Sequence, residues 1–133
     1  MICIYCNGDT RVTNSRHQKR ANTVWRRRQC VSCATIFSTI EAADTSLSIS
    51  VNHDGDLEPF QRDKLFLSVY DSLKHRKSAQ IDATGLTNTM LSTIYGVAGD
   101  ATIDRIAIIT IVAAVLERFD TVAATYYRAY HPL

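Results

Sequence analysis

Cys3-Ile4-Tyr5-Cys6 stands almost at the start of the chain, and Cys30-Val31-Ser32-Cys33 follows after 23 intervening residues. Two C-x-x-C pairs at this separation can bring four thiolates to one tetrahedral ion, the arrangement of a zinc ribbon. All four cysteines of the protein are used by that one site. Each pair needs a tight turn to aim two sulfurs at the same ion, and Asn7-Gly8 and Ser32 suit such turns. The expectation is one Zn2+ per chain rather than two disulfides. Disulfides suit secreted mini-proteins, and no charged and then apolar leader stretch is visible before Cys3. A redox role for one C-x-x-C would leave the other pair unexplained.

The charge pattern agrees with a division at the same place. The 133 residues carry a net charge of only +2. Residues 1–45 hold seven Lys/Arg against three Asp/Glu, and residues 46–133 hold eight against ten. The basic surface therefore belongs to the cysteine segment. A segment of this size buries little apolar surface, so a structural metal would supply most of its folding free energy, on the order of 10 kcal/mol. The expected domains are a zinc ribbon over 1–45 and a second module over 46–133. With 46% apolar and 21% charged residues the composition is that of an ordinary globular protein. The longest apolar run, 107–116, is far short of the ~20 residues of a membrane span. A cytoplasmic protein with no membrane partner is expected.

Within the ribbon, residues 10–13, 23–28 and 35–41 have the β-branched and aromatic content of short strands, and 14–22 reads as a polar loop. In the second module residues 46–51 alternate, with Leu47, Ile49 and Val51 on one face and serines on the other, which predicts a half-buried strand. Asp54-Gly55 predicts a hairpin turn, and 57–60 the returning strand. From residue 61 the period changes to that of helices. Four are expected: 61–75, 82–95 ended by Gly96 and Gly99, one capped by Thr102 and running to 119, and 121–130. The apolar run in the third predicts burial on most sides. The fold class is α+β: a ribbon of three short strands, then a β-hairpin with about four helices.

Arg26-Arg27-Arg28 follows Trp25 and runs into Cys30. Three consecutive strand residues cannot share a face, so at least two project from one surface. With Arg11, Arg16, Lys19 and Arg20 they form a candidate phosphate-binding surface, since a guanidinium fork contacts two oxygens at once. The DNA-binding set is Arg11, Arg16, Arg26, Arg27 and Arg28. The second module shows no phosphate-binding glycine loop and no free cysteine, and its histidines are scattered, so no catalytic constellation is expected. His17 lies near the cysteines, but four thiolates already complete the shell. The residues alone leave open a module that docks on a protein partner without specific DNA recognition.

Taken together, C-I-Y-C, Ser15-Arg16, W-R-R-R-Q-C-V-S-C and the following I-F-S-T-I-E resemble the ribbon of the NrdR-type bacterial transcriptional repressors of ribonucleotide reductase operons. V-N-H-D-G-D-L-E-P-F-Q-R-D-K-L resembles the opening of the ATP-cone that follows the ribbon in that family, and Y-Y-R-A-Y resembles the cone's end. The resemblance implies a repressor whose cone binds ATP or dATP as effector without hydrolysing it. Bound nucleotide would set a homo-oligomeric assembly, and the assembly would decide whether ribbons grip paired sites on double-stranded promoter DNA. It places zinc on Cys3, Cys6, Cys30 and Cys33, DNA contacts on Arg16 and Arg26 to Arg28, and nucleotide on Val51, Asn52, His53, Glu58 and Lys64. Asn52 and His53 stand where the family carries Lys-Arg, and Gln61 where it carries Asp. The stretch between Asp120 and Tyr127 is about one helical turn shorter than in the family.

Overall fold

The structure is a computed structural model that describes residues 1–44 and 48–133. Two compact units make up the chain, Met1–Ala43 and Asp44–Leu133. The first is a three-stranded antiparallel sheet with β2 (Thr23–Cys30) between β1 (Thr10–Gln18) and β3 (Ile36–Ala42). The sequence predicted a first strand of four residues and a long loop. Instead, β1 runs nine residues and only Lys19 to Asn22 turn, with Asn22 at φ 50°. Residues 14–18 lack an apolar alternation because this strand is exposed along nearly its whole length, and its backbone pairing with 23–27 holds it extended. A β-bulge between Val12 and Asn14 shifts the register, and the Thr13 hydroxyl donates to the Arg27 carbonyl at 3.2 Å.

The second unit combines a small sheet with four helices, so the fold class is α+β as expected. β4 (Ser50–His53) and β5 (Asp56–Pro59) form a hairpin across Asp54 and Gly55, both at positive φ (55° and 98°) as a two-residue turn that matches strand twist requires. The expected strand start at 46–47, including Leu47, lies outside the described residues. A third strand was not foreseen: β6 (Thr102–Asp104) pairs with β4 in parallel, giving the order β5-β4-β6. Thr102, expected to cap a helix, is in this strand. Asp104 takes the cap position of α3 (Arg105–Phe119) instead, with its carboxylate committed elsewhere.

The remaining helices are α1 (Arg62–Ser72), α2 (Ala79–Val97) and α4 (Thr121–Tyr130). α1 ends three residues before the expected 75, and α2 begins three before the expected 82. Arg76 and Ser78, at 2.9 Å and 2.6 Å from the Asp82 carboxylate, organise the start of α2 and draw residues 73–78 into turns. Gly96 lies inside α2, and the break comes at Gly99, in a 3-10 turn. Val69, Leu73, Met90, Ile94, Val112 and Leu116 are fully buried at the centre of the core, with Val51 and Ile103 of the sheet beside them. On α3 only Ile109, Val112 and Leu116 are buried, and Ile106 is 62% exposed. The apolar run 107–116 is covered on most sides, as expected: Ala107, Ile108, Ile111, Ala113 and Val115 are partly buried against the core, and within the run only Thr110 and Ala114 are exposed. Among the described residues no helix is long and apolar enough to cross a membrane.

Candidate metal centre and nucleic-acid face

Each cysteine pair is followed by a residue at positive φ, Asn7 (59°) after the first and Ala34 (60°) after the second. These left-handed residues reverse the chain under the sulfurs. The reversals are closed by backbone bonds from Cys3 to Gly8 (2.8 Å), Asn7 to Cys3 (3.0 Å) and Cys30 to Thr35 (3.0 Å), and Val31 bonds to Asp9 (2.9 Å) across the two turns. All four Sγ atoms lie within 4.8 Å of one another, with Cys3–Cys33 at 3.7 Å and Cys6–Cys30 at 3.5 Å. A tetrahedral zinc with Zn–S near 2.3 Å needs sulfurs about 3.8 Å apart, so the donor set fits the ion.

The surroundings favour thiolate at part of the site. The Thr35 hydroxyl, 3.2 Å from Cys33 Sγ, and the Thr35 N–H hold the Cys33 thiol down at about 6. Backbone N–H groups, that of Cys33 first and that of Ser32 also, lower Cys30. On Cys6 the Gly8 N–H pulls down, but Cys30, Cys33, burial and Cys3 together push the thiol up to about 12. A divalent ion at the centre would displace the protons held there and so bind with a strong pH dependence.

Gly8 packs closely against the second turn. A Cβ at Gly8 would meet the Ser32 Oγ at 2.6 Å and Cβ at 3.1 Å, with Cys6 Sγ at 3.4 Å. Gly8→Ala is expected to weaken zinc binding by about tenfold, the size usual for groups that orient metal ligands. Competition titration with a chromophoric chelator measures it. Adding Ser32→Gly, which removes the opposing atoms, should restore affinity; failure of that rescue would mean that Gly8 acts otherwise.

Residues paired across the sheet share a face. Arg11 opposes Gln29, Asn14 opposes Arg27 and Arg16 opposes Trp25, and Ile36, Ser38 and Ile40 of β3 lie on the same side. The other side carries Val12, His17, Arg26, Arg28, Phe37, Thr39 and Glu41. The five arginines of the DNA-binding set are therefore split three and two. Arg26 forms an ion pair with Glu41, whose carboxyl that hydrogen bond holds below its ordinary value. Arg28 donates to the hydroxyls of Thr39 (3.4 Å) and Thr10 (3.3 Å). On the first face Arg11 donates to Gln29 at 2.9 Å, and the Arg16 guanidinium lies 6.0 Å from the centre of the Trp25 ring. His17 is not part of the metal cluster.

In the second unit the residues expected to hold nucleotide are mostly engaged with their neighbours. Val51 is buried in the core. Asn52 donates to Asp104 (3.0 Å) and accepts from the Gly55 N–H (3.0 Å), which ties the hairpin turn to β6. His53 meets Arg105 at 3.2 Å and Asp54 at 3.4 Å, and Glu58 pairs with Lys64 at 3.5 Å. Lys64 also borders an open cleft of about 510 Å³ formed by α1 and α4, with Ser68, Tyr126, Tyr130 and His131 on its walls. Ser68 Oγ is 3.2 Å from His131 Nε2, and the tyrosine rings are 4.7 Å apart. Sequence reasoning missed these wall residues; Tyr126 and Tyr130, at i and i+4 with Ser68 opposite, become one site only once α1 and α4 are packed together.

Comparison with known proteins bears on the ribbon first. Residues 1–41 match the family described as "Transcriptional repressor NrdR-like, N-terminal domain". Among curated proteins, the transcriptional repressor NrdR of Symbiobacterium thermophilum is 40% identical over 76 residues, which is 57% of this chain and 51% of that protein. The NrdR proteins of Chlamydia felis and Chlamydia abortus are each 31% identical over 97 residues, 72% of this chain and 63% of theirs. The chain spans between about half and just under two thirds of these relatives. Aligned stretches of 76 and 97 residues exceed the 41 of the ribbon, so the likeness continues into the second unit. Residues 1–41 thus carry a zinc ribbon of the NrdR-like family, and the chain beyond them is similar to NrdR repressors.

Proposed function

We propose that this chain is a zinc-dependent, DNA-binding transcriptional repressor of ribonucleotide reductase genes, in which ATP or dATP held by the second unit sets the homo-oligomeric state and through it the grip on paired promoter sites. The observation that carries the reading is the four-cysteine centre at the base of a basic sheet, in a segment that matches the NrdR-like family. Zinc makes a sheet with almost no core rigid, and the arginines stand on that rigid sheet. The relatives' name, transcriptional repressor, supports the activity. Support for an effector comes from the cleft beside Lys64, which is large enough for a nucleotide and offers a cation with two aromatic rings.

Native mass spectrometry of the zinc-loaded protein, alone and with ATP or dATP at millimolar concentration, tests the proposal. One zinc per chain, retained nucleotide and an assembly that differs between the two nucleotides are expected. A second reading has one observation in its favour: the Asn52 side chain is committed to Gly55 and Asp104 and supplies no cation to a phosphate. On that reading the second unit serves dimerisation or protein docking, and zinc is found with no nucleotide retained.

A further inference from the structure

The two faces of the ribbon differ in more than the number of arginines. On the face of Arg11, Arg16, Trp25, Arg27 and Gln29 no strand residue is a carboxylate, and the polar neighbours Asn14, Gln18 and Ser38 are neutral. The opposite face neutralises Arg26 with Glu41 and occupies Arg28 with two threonine hydroxyls. Among the described residues no side chain holds the Arg27 guanidinium, and Arg27 is exposed. All five residues of the first face come from the β1–β2 hairpin, and a two-stranded ribbon is an element that the major groove of duplex DNA admits.

The bulge makes this face possible. Arg11 and Arg16 are five apart, which in an unbroken strand sends their side chains to opposite sides. The extra residue at Thr13 restores the phase, so that both oppose odd-numbered residues of β2. Each is then held by a neighbour: Gln29 accepts from Arg11, and the Trp25 ring lies beneath Arg16. A guanidinium steadied in this way loses less side-chain freedom on meeting a phosphate or a base edge.

We propose that duplex DNA lies against the Trp25 face of the ribbon, with Arg27 as the free contacting guanidinium and with Trp25 and Gln29 as positioning residues for Arg16 and Arg11. The proposal rests on the DNA-binding reading above. Arg26 and Arg28 then serve the sheet, not the ligand. The chain has a single tryptophan, so its emission reports on this face alone.

The test uses the full zinc-loaded chain and a 30-base-pair mixed-sequence duplex, with binding followed by anisotropy across a series of salt concentrations. The slope of log K against log salt is expected to fall by about 0.9 for each phosphate that R11A, R16A or R27A leaves unneutralised, and to stay unchanged in R26A and R28A. Trp25→Leu should lower the slope as R16A does although it removes no charge, and Trp25→Phe should retain it; a merely structural tryptophan would change zinc content or melting instead. Trp25 emission of the unaltered protein should be quenched on saturation with duplex, which decides the matter even where a variant loses its zinc. A slope that falls as far in R26A and R28A as in R16A and R27A, or emission unchanged at saturation, overturns the face assignment while leaving DNA binding in place. No binding by the unaltered protein at low salt overturns the repressor reading and this inference together.

Discussion

Cys30→Ser, or removal of the metal by a strong chelator, is expected to unfold residues 1–43 and to abolish the DNA binding proposed above, with the helical signal of the second unit retained. The size of the effect follows from what the ribbon lacks. Its buried apolar residues are Cys3 and Cys30 themselves; Ile2, Ile4, Tyr5 and Val31 are all more than half exposed. Nothing but backbone pairing and cross-strand contacts opposes the conformational entropy of some 43 ordered residues. A structural zinc contributes on the order of 10 kcal/mol, so the segment is expected to be folded with the metal and unfolded without it. Circular dichroism with limited proteolysis, before and after chelation and again after zinc is restored, measures the result. A ribbon that stays protease-resistant without metal would sink the idea.

Asp120→Ala is expected to be the most damaging single change to a polar residue of the second unit. The carboxylate caps α4 by accepting from the N–H groups of Val122 (3.0 Å) and Ala123 (3.1 Å). It also accepts from Arg76 and from His75, both at 3.0 Å, and its side chain is only 11% exposed. The Arg76 guanidinium lies over the Phe119 ring at 4.8 Å and bonds Asp82 too, so one acid ties the turn after α1, the start of α2 and the start of α4. Loss of a cap and of a charge-assisted pair together costs roughly 2–4 kcal/mol, a drop of roughly 10–20 °C in melting temperature for a unit this size. Asp120→Asn, which keeps the cap and removes the charge, should fall between.

The same residue sets an acid limit. The Ala123 N–H, with His75 and Arg76 behind it, holds the Asp120 carboxyl at about 2 against the upward push of burial. Because the folded value lies below the unfolded one, the stabilisation is fully present above pH ~4 and is lost as pH falls through about 2. Asp82, lowered by Ser78 and Arg76, acts in the same direction. Melting temperature against pH should bend downward below pH 4 in the natural protein. In Asp120→Ala the bend should be shallower; an equal bend would assign the acid sensitivity elsewhere.

The sequence carried the architecture where a feature is local. A C-x-x-C needs only its own turn, Asp54-Gly55 is a turn in itself, and the stripe of Leu65 and Val69 is legible within one helix. What failed to show was fixed by distant partners. Residues 14–18 look like a loop until β2 pairs with them, and Thr102 looks like a helix cap until β4 lies alongside. The face of each arginine was hidden for a subtler reason: strict alternation assigns Arg11 and Arg16 to opposite sides, and only the bulge at Thr13 corrects this. The burial of α3 on most sides was legible too, because a run of apolar residues on a helix leaves few polar positions to face solvent.

The parallel pairing of β4 with β6 joins residues 52 positions apart, Ser50 to Thr102 and Asn52 to Asp104. This sets an order of events in time. The β4–β5 hairpin closes over two residues and can form within microseconds, but β6 can dock only after α1 and α2 have brought the chain back. The central strand of the sheet therefore gains its second partner late. A nascent chain released from synthesis before residue 104 would present that strand with one edge bare, in the condition most prone to pairing with a stranger.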